Sequence, residues 1–140
     1  MTGIDEFLAD ALDGKEGWAR AAAEEFGPDW VEIWSGTVDL AANRAERARG
    51  DADTHVPTND ARVSRFIVRN DPAHVLADVA RTRRILAEHE SSGGDEPVCG
   101  RCVFHRTVAQ CRPVPYPCLS VRLIAAEFDC EPGYLQEWAP

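Results

Sequence analysis

Five cysteines carry most of the chemistry that this sequence could perform, and all five follow residue 98: Cys99, Cys102, Cys111, Cys118 and Cys130. Two of them form the segment Cys99-Gly100-Arg101-Cys102, in which a tight turn can present both thiolates to one metal ion. The glycine permits the backbone angles that such a turn requires. An odd, clustered set of cysteines favours metal binding over disulfides in a reducing compartment. The spacing therefore predicts a metal site.

Two further ligands are predicted at the ends of helices. His89 falls at the end of a predicted helix, on its apolar face, and Cys118 falls at the start of the next one, where the helix dipole favours a thiolate. The preferred ligand set is His89, Cys99, Cys102 and Cys118. A site with four protein ligands has no open position for water or substrate, so we expect a structural zinc ion.

Other ligand sets remain open at this point. Cys111 or His105 could replace His89 or Cys118 as a ligand. With Cys111 in place of His89 the site would contain four thiolates, and an iron-sulfur cluster would become possible. Redox use of the cysteine pair is disfavoured because the pair follows a polar loop and no strand. We expect Cys130 to be a free thiol.

The helix that ends at His89 has a clear start. Asp71 is a predicted N-cap and Pro72 occupies the first helical position, so a helix is expected from Pro72 to about His89. Residues 91–96 read as a loop, and prolines at 113, 115 and 117 keep the chain extended. A last helix begins near Cys118. Its expected buried residues are Leu119, Leu123, Ile124 and Phe128.

The N-terminal part predicts a different arrangement. Residues 2–26 have helical apolar spacing interrupted at Asp13-Gly14, which indicates two helices or one broken helix. Apolar residues around Ser35-Gly36 indicate a hairpin, and Val63, Phe66, Ile67 and Val68 indicate a buried helix. The fold class is α+β, mostly helical, with a short N-terminal β-hairpin and a zinc-stapled C-terminal helical half. We expect a single domain, 1–140, made of helix and hairpin (1–40), loop (41–60) and zinc-binding helical part (61–140).

Charge and motifs narrow the function classes. The formal charge is −9, whereas residues 97–140 hold four basic and four acidic side chains, so direct nucleic-acid binding by the cysteine region is disfavoured. No apolar run could span a membrane and no secretory signal is recognisable, so a cytoplasmic location is expected. Nucleotide-binding, serine-hydrolase and zinc-protease motifs are absent from the sequence. The remaining polar candidates are ordinary surface or loop residues, so an enzyme is disfavoured: His55, His74, Asp78, Arg81 and His105.

The tryptophans suggest an interaction role. Trp18, Trp30 and Trp34 lie in the acidic N-terminal part, where they could bind another protein or could simply form a core. The sequence thus predicts a small cytoplasmic zinc-binding protein that acts as a protein-interaction or regulatory module. One alternative is an iron-sulfur or thiol redox-sensing regulator, and the other is a small enzyme whose site is not evident from the sequence.

Several motifs together resemble a domain-of-unknown-function family of actinobacteria and their phages. They are the Asp-Pro-Ala-His-Val-Leu start at residue 71, the Tyr-Pro-Cys ending at residue 118, and the Pro132, Tyr134 and Trp138 ending. The family has no established activity to carry over. Its pattern of one His, a CxxC-like pair and a Pro-Cys implies the ligand set given above. Family members often carry a His where this sequence has Glu131.

Overall fold

The computed structural model describes residues 3–34, 37–39, 55–58, 60–107 and 110–140, with side chains outside the description at 31–37, 39, 55–56 and 103–111. Four α-helices are present in these ranges: α1 (Ile4–Phe26), α2 (Ala61–Arg69), α3 (Pro72–Glu88) and α4 (Leu119–Ala126). A 3₁₀-helix covers Gln136–Trp138. The strands are β1 (Val31–Trp34), β2 (Thr37–Asp39), β3 (His55–Pro57), β4 (Ser91–Ser92), β5 (Val98–Thr107) and β6 (Gln110–Pro115). The predicted mixture of helix and sheet is confirmed.

The strands form two antiparallel sheets, and backbone contacts divide the chain into two compact units. The sheet orders are β1-β2-β3 and β4-β5-β6. Unit 1 contains Met1–Leu12 and Ala80–Pro140, and unit 2 contains Asp13–Val79. The single-domain organisation stays a prediction. Within the described ranges, none of the helices combines the length and the apolar character that crossing a bilayer requires.

The core of unit 1 joins the start of α1 to the C-terminal segment. Phe7 is 4% exposed, and its ring centroid lies 5.1 Å from that of Trp138 and 6.0 Å from that of Tyr134. Such tilted aromatic contacts add to the stabilisation from the buried apolar area. The other buried residues of this core are Ile4, Leu8, Leu12, Val121, Ala125 and Phe128.

Helix α4 buries a different face from the predicted one. Leu119 and Leu123 are 57% and 52% exposed, whereas Val121 and Ala125 are fully buried. The predicted burial is confirmed for Phe128, which is 8% exposed, and was wrong for Leu119 and Leu123, because the helix carries two apolar stripes. The stripe with the smaller side chains packs inward, next to the 3₁₀-helix, where the Arg122 guanidinium donates to the carbonyl of Ala139.

The second sheet replaces a predicted loop and extended segment. Ser91 pairs with Cys99, Ser92 pairs with Val98, and Val98 also pairs with Pro115. Because β6 lies at the edge of the sheet, its prolines at positions 113 and 115 need not donate to a further strand. The C-terminal half is therefore not purely helical.

Unit 2 contains the predicted hairpin. Val31 pairs with Asp39 and Trp34 pairs with Thr37, and the predicted turn at 35–36 lies outside the described residues. A third strand was missed: β3 pairs with β2 inside the predicted loop 41–60, of which 41–54 and 59 are not described. Helix α1 runs without a break through Asp13-Gly14.

Helix α2 lies against β1 and β2 and buries a polar residue. Ser64 is fully buried, and its hydroxyl lies 2.6 Å from that of Thr58. The predicted burial of Val63 and Phe66 was wrong, because these side chains are 45% and 68% exposed. A hydroxyl that is hydrogen-bonded can be buried at little cost, and apolar periodicity does not reveal it.

Candidate metal centre

Hydrogen bonds fix both ends of helix α3, which precedes His89 and determines its position. At the N-terminus the Asp71 carboxylate accepts a hydrogen bond from the backbone N–H of His74 at 2.8 Å, which confirms the predicted N-cap. At the C-terminus the N–H of His89 donates to the carbonyls of Leu86 at 2.9 Å and Ile85 at 3.2 Å. His89 therefore continues the last turn, and its ring is half-buried.

The segment Cys99–Cys102, predicted as a tight turn, instead lies in strand β5, where the pairing with β6 is irregular between Val98 and Val103. It lies against the residue after His89. The backbone N–H of Gly100 donates to the carbonyl of Glu90 at 3.0 Å. A Cβ at Gly100 would lie 3.3 Å from that oxygen, so glycine permits the close approach. The N–H of Cys102 points at the sulfur of Cys99 at 3.4 Å. Such an N–H···S contact orients a sulfur ligand and partly neutralises a thiolate.

Cys118 is the N-cap residue of α4. Its carbonyl accepts the first helical hydrogen bond, from the N–H of Arg122 at 3.0 Å, but its side chain makes no capping hydrogen bond. The preceding segment is held by the N–H of Tyr116, which donates to the carbonyl of Pro97 at 2.9 Å, and by the Tyr116 hydroxyl, which donates to Asp5. The sulfur of Cys118 is thus fixed in place and left without a capping role.

The four predicted ligands lie together in the structure. Their ligand atoms are all within 4.8 Å of one another, and the group could hold a metal ion. The Nδ1 atom of His89 is 3.4 Å from the sulfur of Cys99, 3.4 Å from that of Cys102 and 3.4 Å from that of Cys118. One ring nitrogen carries at most one proton, so hydrogen bonding cannot explain three equal contacts.

Tetrahedral coordination explains the equal contacts better. Zinc binds sulfur at about 2.3 Å and imidazole nitrogen at about 2.0–2.1 Å, which places nitrogen and sulfur about 3.6 Å apart on a tetrahedron. Cys99 and Cys118 are 4% and 2% exposed, so a bound ion would be shielded from solvent on that side. An ion pair near the site, between Arg101 and Glu88 at 3.6 Å, is exposed and adds little stability.

A family model described as a family of unknown function, DUF6221, matches residues 1–140. The chain belongs to DUF6221. No curated protein and no solved structure matches it.

Electrostatics within the cluster of this DUF6221 protein favour a thiolate at Cys99 over one at Cys102. Burial raises the pKa of Cys99, but the N–H groups of Cys102 and Arg101 and the His89 side chain outweigh burial and lower that pKa to about 7. Burial, followed by the neighbouring sulfurs of Cys99 and Cys118, raises the pKa of Cys102 to about 12. A cation bound between the sulfurs would favour ionisation of all of them.

The other residues considered from the sequence stand apart from this cluster or outside the description. The side chains of His105 and Cys111 are not described, although their backbones pair between β5 and β6. Cys130 is an exposed free thiol. The exposed ring of His74 lies 2.7 Å from the Asp71 carboxylate, next to the helix start that it helps to define.

Two supporting features were missed by the sequence reasoning. The short strand β4 and the contact between Glu90 and Gly100 hold the Cys99–Cys102 segment beside His89. The glycine inside the Cys-x-x-Cys segment was the available indication of a close backbone approach. The bond from Tyr116 to Asp5 joins residues 111 positions apart, and no local pattern indicates it.

Proposed function

We propose that the protein binds one structural zinc ion through His89, Cys99, Cys102 and Cys118. The observation that carries this proposal is the equal 3.4 Å separation of the His89 Nδ1 atom from three sulfurs. Three thiolates and one imidazole form a donor set that suits zinc. Because all four positions are filled by protein, the ion would stabilise the fold and would not activate water.

Zinc would connect three elements that have few other links. His89 follows the end of α3, the cysteine pair lies at the start of β5, and Cys118 precedes α4. Among the described residues, hydrogen bonds across this junction come mainly from single backbone pairs, such as Gly100 with Glu90. Metal binding would therefore supply much of the folding free energy of this part of unit 1.

The biological role that we propose is that of a cytoplasmic protein-interaction module. A closed site does no chemistry, and a cytoplasmic location would keep the three thiols reduced and available for zinc. Large apolar side chains are exposed on three of the helices, with Trp18 on α1, Phe66 on α2, and Leu119 and Leu123 on α4. Exposed aromatic side chains are typical of surfaces that bind other proteins.

Elemental analysis and cobalt substitution test the zinc site. We expect one zinc per chain, no colour, and, after exchange with cobalt(II), the visible bands of tetrahedral cobalt with charge transfer from thiolates. Cys99→Ser should abolish metal binding, whereas Cys130→Ser, which changes an exposed thiol, should retain one ion. A brown protein that contains iron would refute the zinc assignment and would favour the redox-sensing alternative.

The same assay decides between the ligand sets. His89→Ala should abolish tetrahedral cobalt binding, while Cys111→Ser and His105→Ala should leave the spectrum unchanged. Loss of the spectrum in Cys111→Ser with retention in His89→Ala would replace the imidazole by a fourth thiolate. Thermal unfolding of each variant with and without chelator would show whether the ion also stabilises the fold.

A further inference from the structure

Helix α2 carries a basic, apolar face that the described residues of unit 2 leave exposed. Phe66 is 68% exposed and Val63, one turn before it, is 45% exposed. Arg69, one turn after Phe66, is also exposed and has no ion pair within the described residues. The helix contains three arginines and no acidic residue, in a chain whose formal charge is −9. We call Val63, Phe66 and Arg69 the basic face.

Helix α1 carries an acidic counterpart within the same unit. Trp18 is 64% exposed, and Ala21 and Glu25, three and seven residues later, are exposed on the same side of the helix. Glu25 has no ion pair within the described part of the chain. We call Trp18, Ala21 and Glu25 the acidic face. It combines a large apolar side chain, a small neighbour and a carboxylate.

We infer that a second copy of this chain docks on these two faces, with the acidic face of each copy against the basic face of the other. Trp18 would pack against Phe66 and Val63, and Glu25 would pair with Arg69. Each copy has both faces, so a two-fold dimer would form the contact twice. Aromatic and arginine side chains that meet at the centre of an interface provide most of its binding energy.

Charge selects a second copy over a polyanion. Nucleic acid or an anionic membrane would suit the basic face alone and would leave Trp18 and Glu25 uncovered. A second copy covers both faces and pairs both charges. This inference rests on the proposed interaction role and names its partner, and it is independent of the zinc site because both faces belong to Asp13–Val79.

Sedimentation equilibrium of the full chain over a range of concentrations tests the dimer. We expect a reversible dimer that weakens at least about tenfold in Trp18→Ser and in Phe66→Ser. Leu123→Ser is the matched control, because Leu123 is equally apolar, is 52% exposed and lies in the other unit. A wild-type chain that is monomeric at every concentration overturns the inference, as does a dimer that only the control weakens.

A charge exchange tests the pairing directly. Glu25→Arg and Arg69→Glu should each weaken the dimer, and the double variant should recover most of the wild-type affinity because both pairs re-form with reversed polarity. Additive loss in the double variant overturns the pairing. Because these side chains are exposed, thermal unfolding should match that of the wild type. Zinc content, measured on the same samples, separates failure of the dimer from failure of the metal site.

Discussion

Cys118 is both the N-cap residue of α4 and a proposed zinc ligand, and replacing it by serine separates the two roles. Its side chain is 2% exposed, makes no capping hydrogen bond and lies 3.4 Å from the His89 ring nitrogen. Serine has a similar size, is among the best N-cap residues and is a poor zinc ligand. If Cys118 only caps and packs, Cys118→Ser is neutral or stabilising. If it binds zinc, the same change is destabilising.

The expected change in the free energy of unfolding is the difference between two opposing contributions. A serine N-cap would contribute about 1 kcal/mol relative to an uncapped residue. A ligand that binds only the folded state contributes about 4 kcal/mol when its free concentration is a thousand times its Kd. The net expectation for Cys118→Ser is a loss of about 3 kcal/mol in the free energy of unfolding. For a chain of 140 residues, this corresponds to a decrease in Tm of roughly 9 °C.

Thermal unfolding followed by circular dichroism, with and without a zinc chelator, measures this effect. The chelator should lower the Tm of the wild type toward that of Cys118→Ser and should leave the variant unchanged. Cys130→Ser, an exposed control, should behave like the wild type. The reasoning is refuted if Cys118→Ser unfolds at or above the wild-type temperature while it still contains one zinc per chain.

Three further predictions concern pH, capping and the buried face of α4. Zinc affinity should rise with pH, because Cys102, whose pKa is about 12, must release a proton on binding. Below about pH 7 Cys99, whose pKa is about 7, must also release a proton, so the affinity should depend more steeply on pH there. Competition with a coloured chelator measures this dependence. Asp71→Ala should lower the urea-unfolding free energy by about 2 kcal/mol and Asp71→Asn, which keeps an acceptor, by less than half of that; equal losses would contradict the capping role. In the same assay, Val121→Ala should lower the free energy of unfolding by about 2 kcal/mol and Leu123→Ala by less than about 1 kcal/mol. The reverse order would support burial of the helix face that was predicted from the sequence.

The cluster of four residues could be predicted because each member follows from local rules. The Asp71-Pro72 pair determines where α3 starts, and the helical period then places His89 on the inner side at its end. The Cys-x-x-Cys spacing and the Pro-Cys pair before α4 can be recognised in the sequence without knowledge of the tertiary fold. Local signals at the ends of elements were therefore enough to name four residues whose ligand atoms lie within 4.8 Å of one another.

The second sheet could not be predicted in the same way. Pro113 and Pro115 argue against a strand by local propensity, and they are tolerated only because β6 lies at a sheet edge. The strand β4 has two residues, too few for any alternating pattern. Its existence depends on the partner strand β5, which contains Cys99 and Cys102. The order of the strands in the sheet, rather than the composition of each segment, therefore determines that β4 and β6 are strands.

Helix faces are undetermined by sequence where a helix has two apolar stripes, and this ambiguity bears on function. In α4, Val121 and Ala125 compete with Leu119 and Leu123, and the smaller pair is the one that is buried. The larger side chains gain more from burial, so hydrophobicity alone predicts the wrong face. Leaving them exposed costs solubility unless a partner covers them. The same argument applies to Phe66 on α2, where a buried Ser64 takes the place of an apolar residue. The residues that a periodicity argument places in the core, and that the structure leaves outside, are therefore the first candidates for a binding surface.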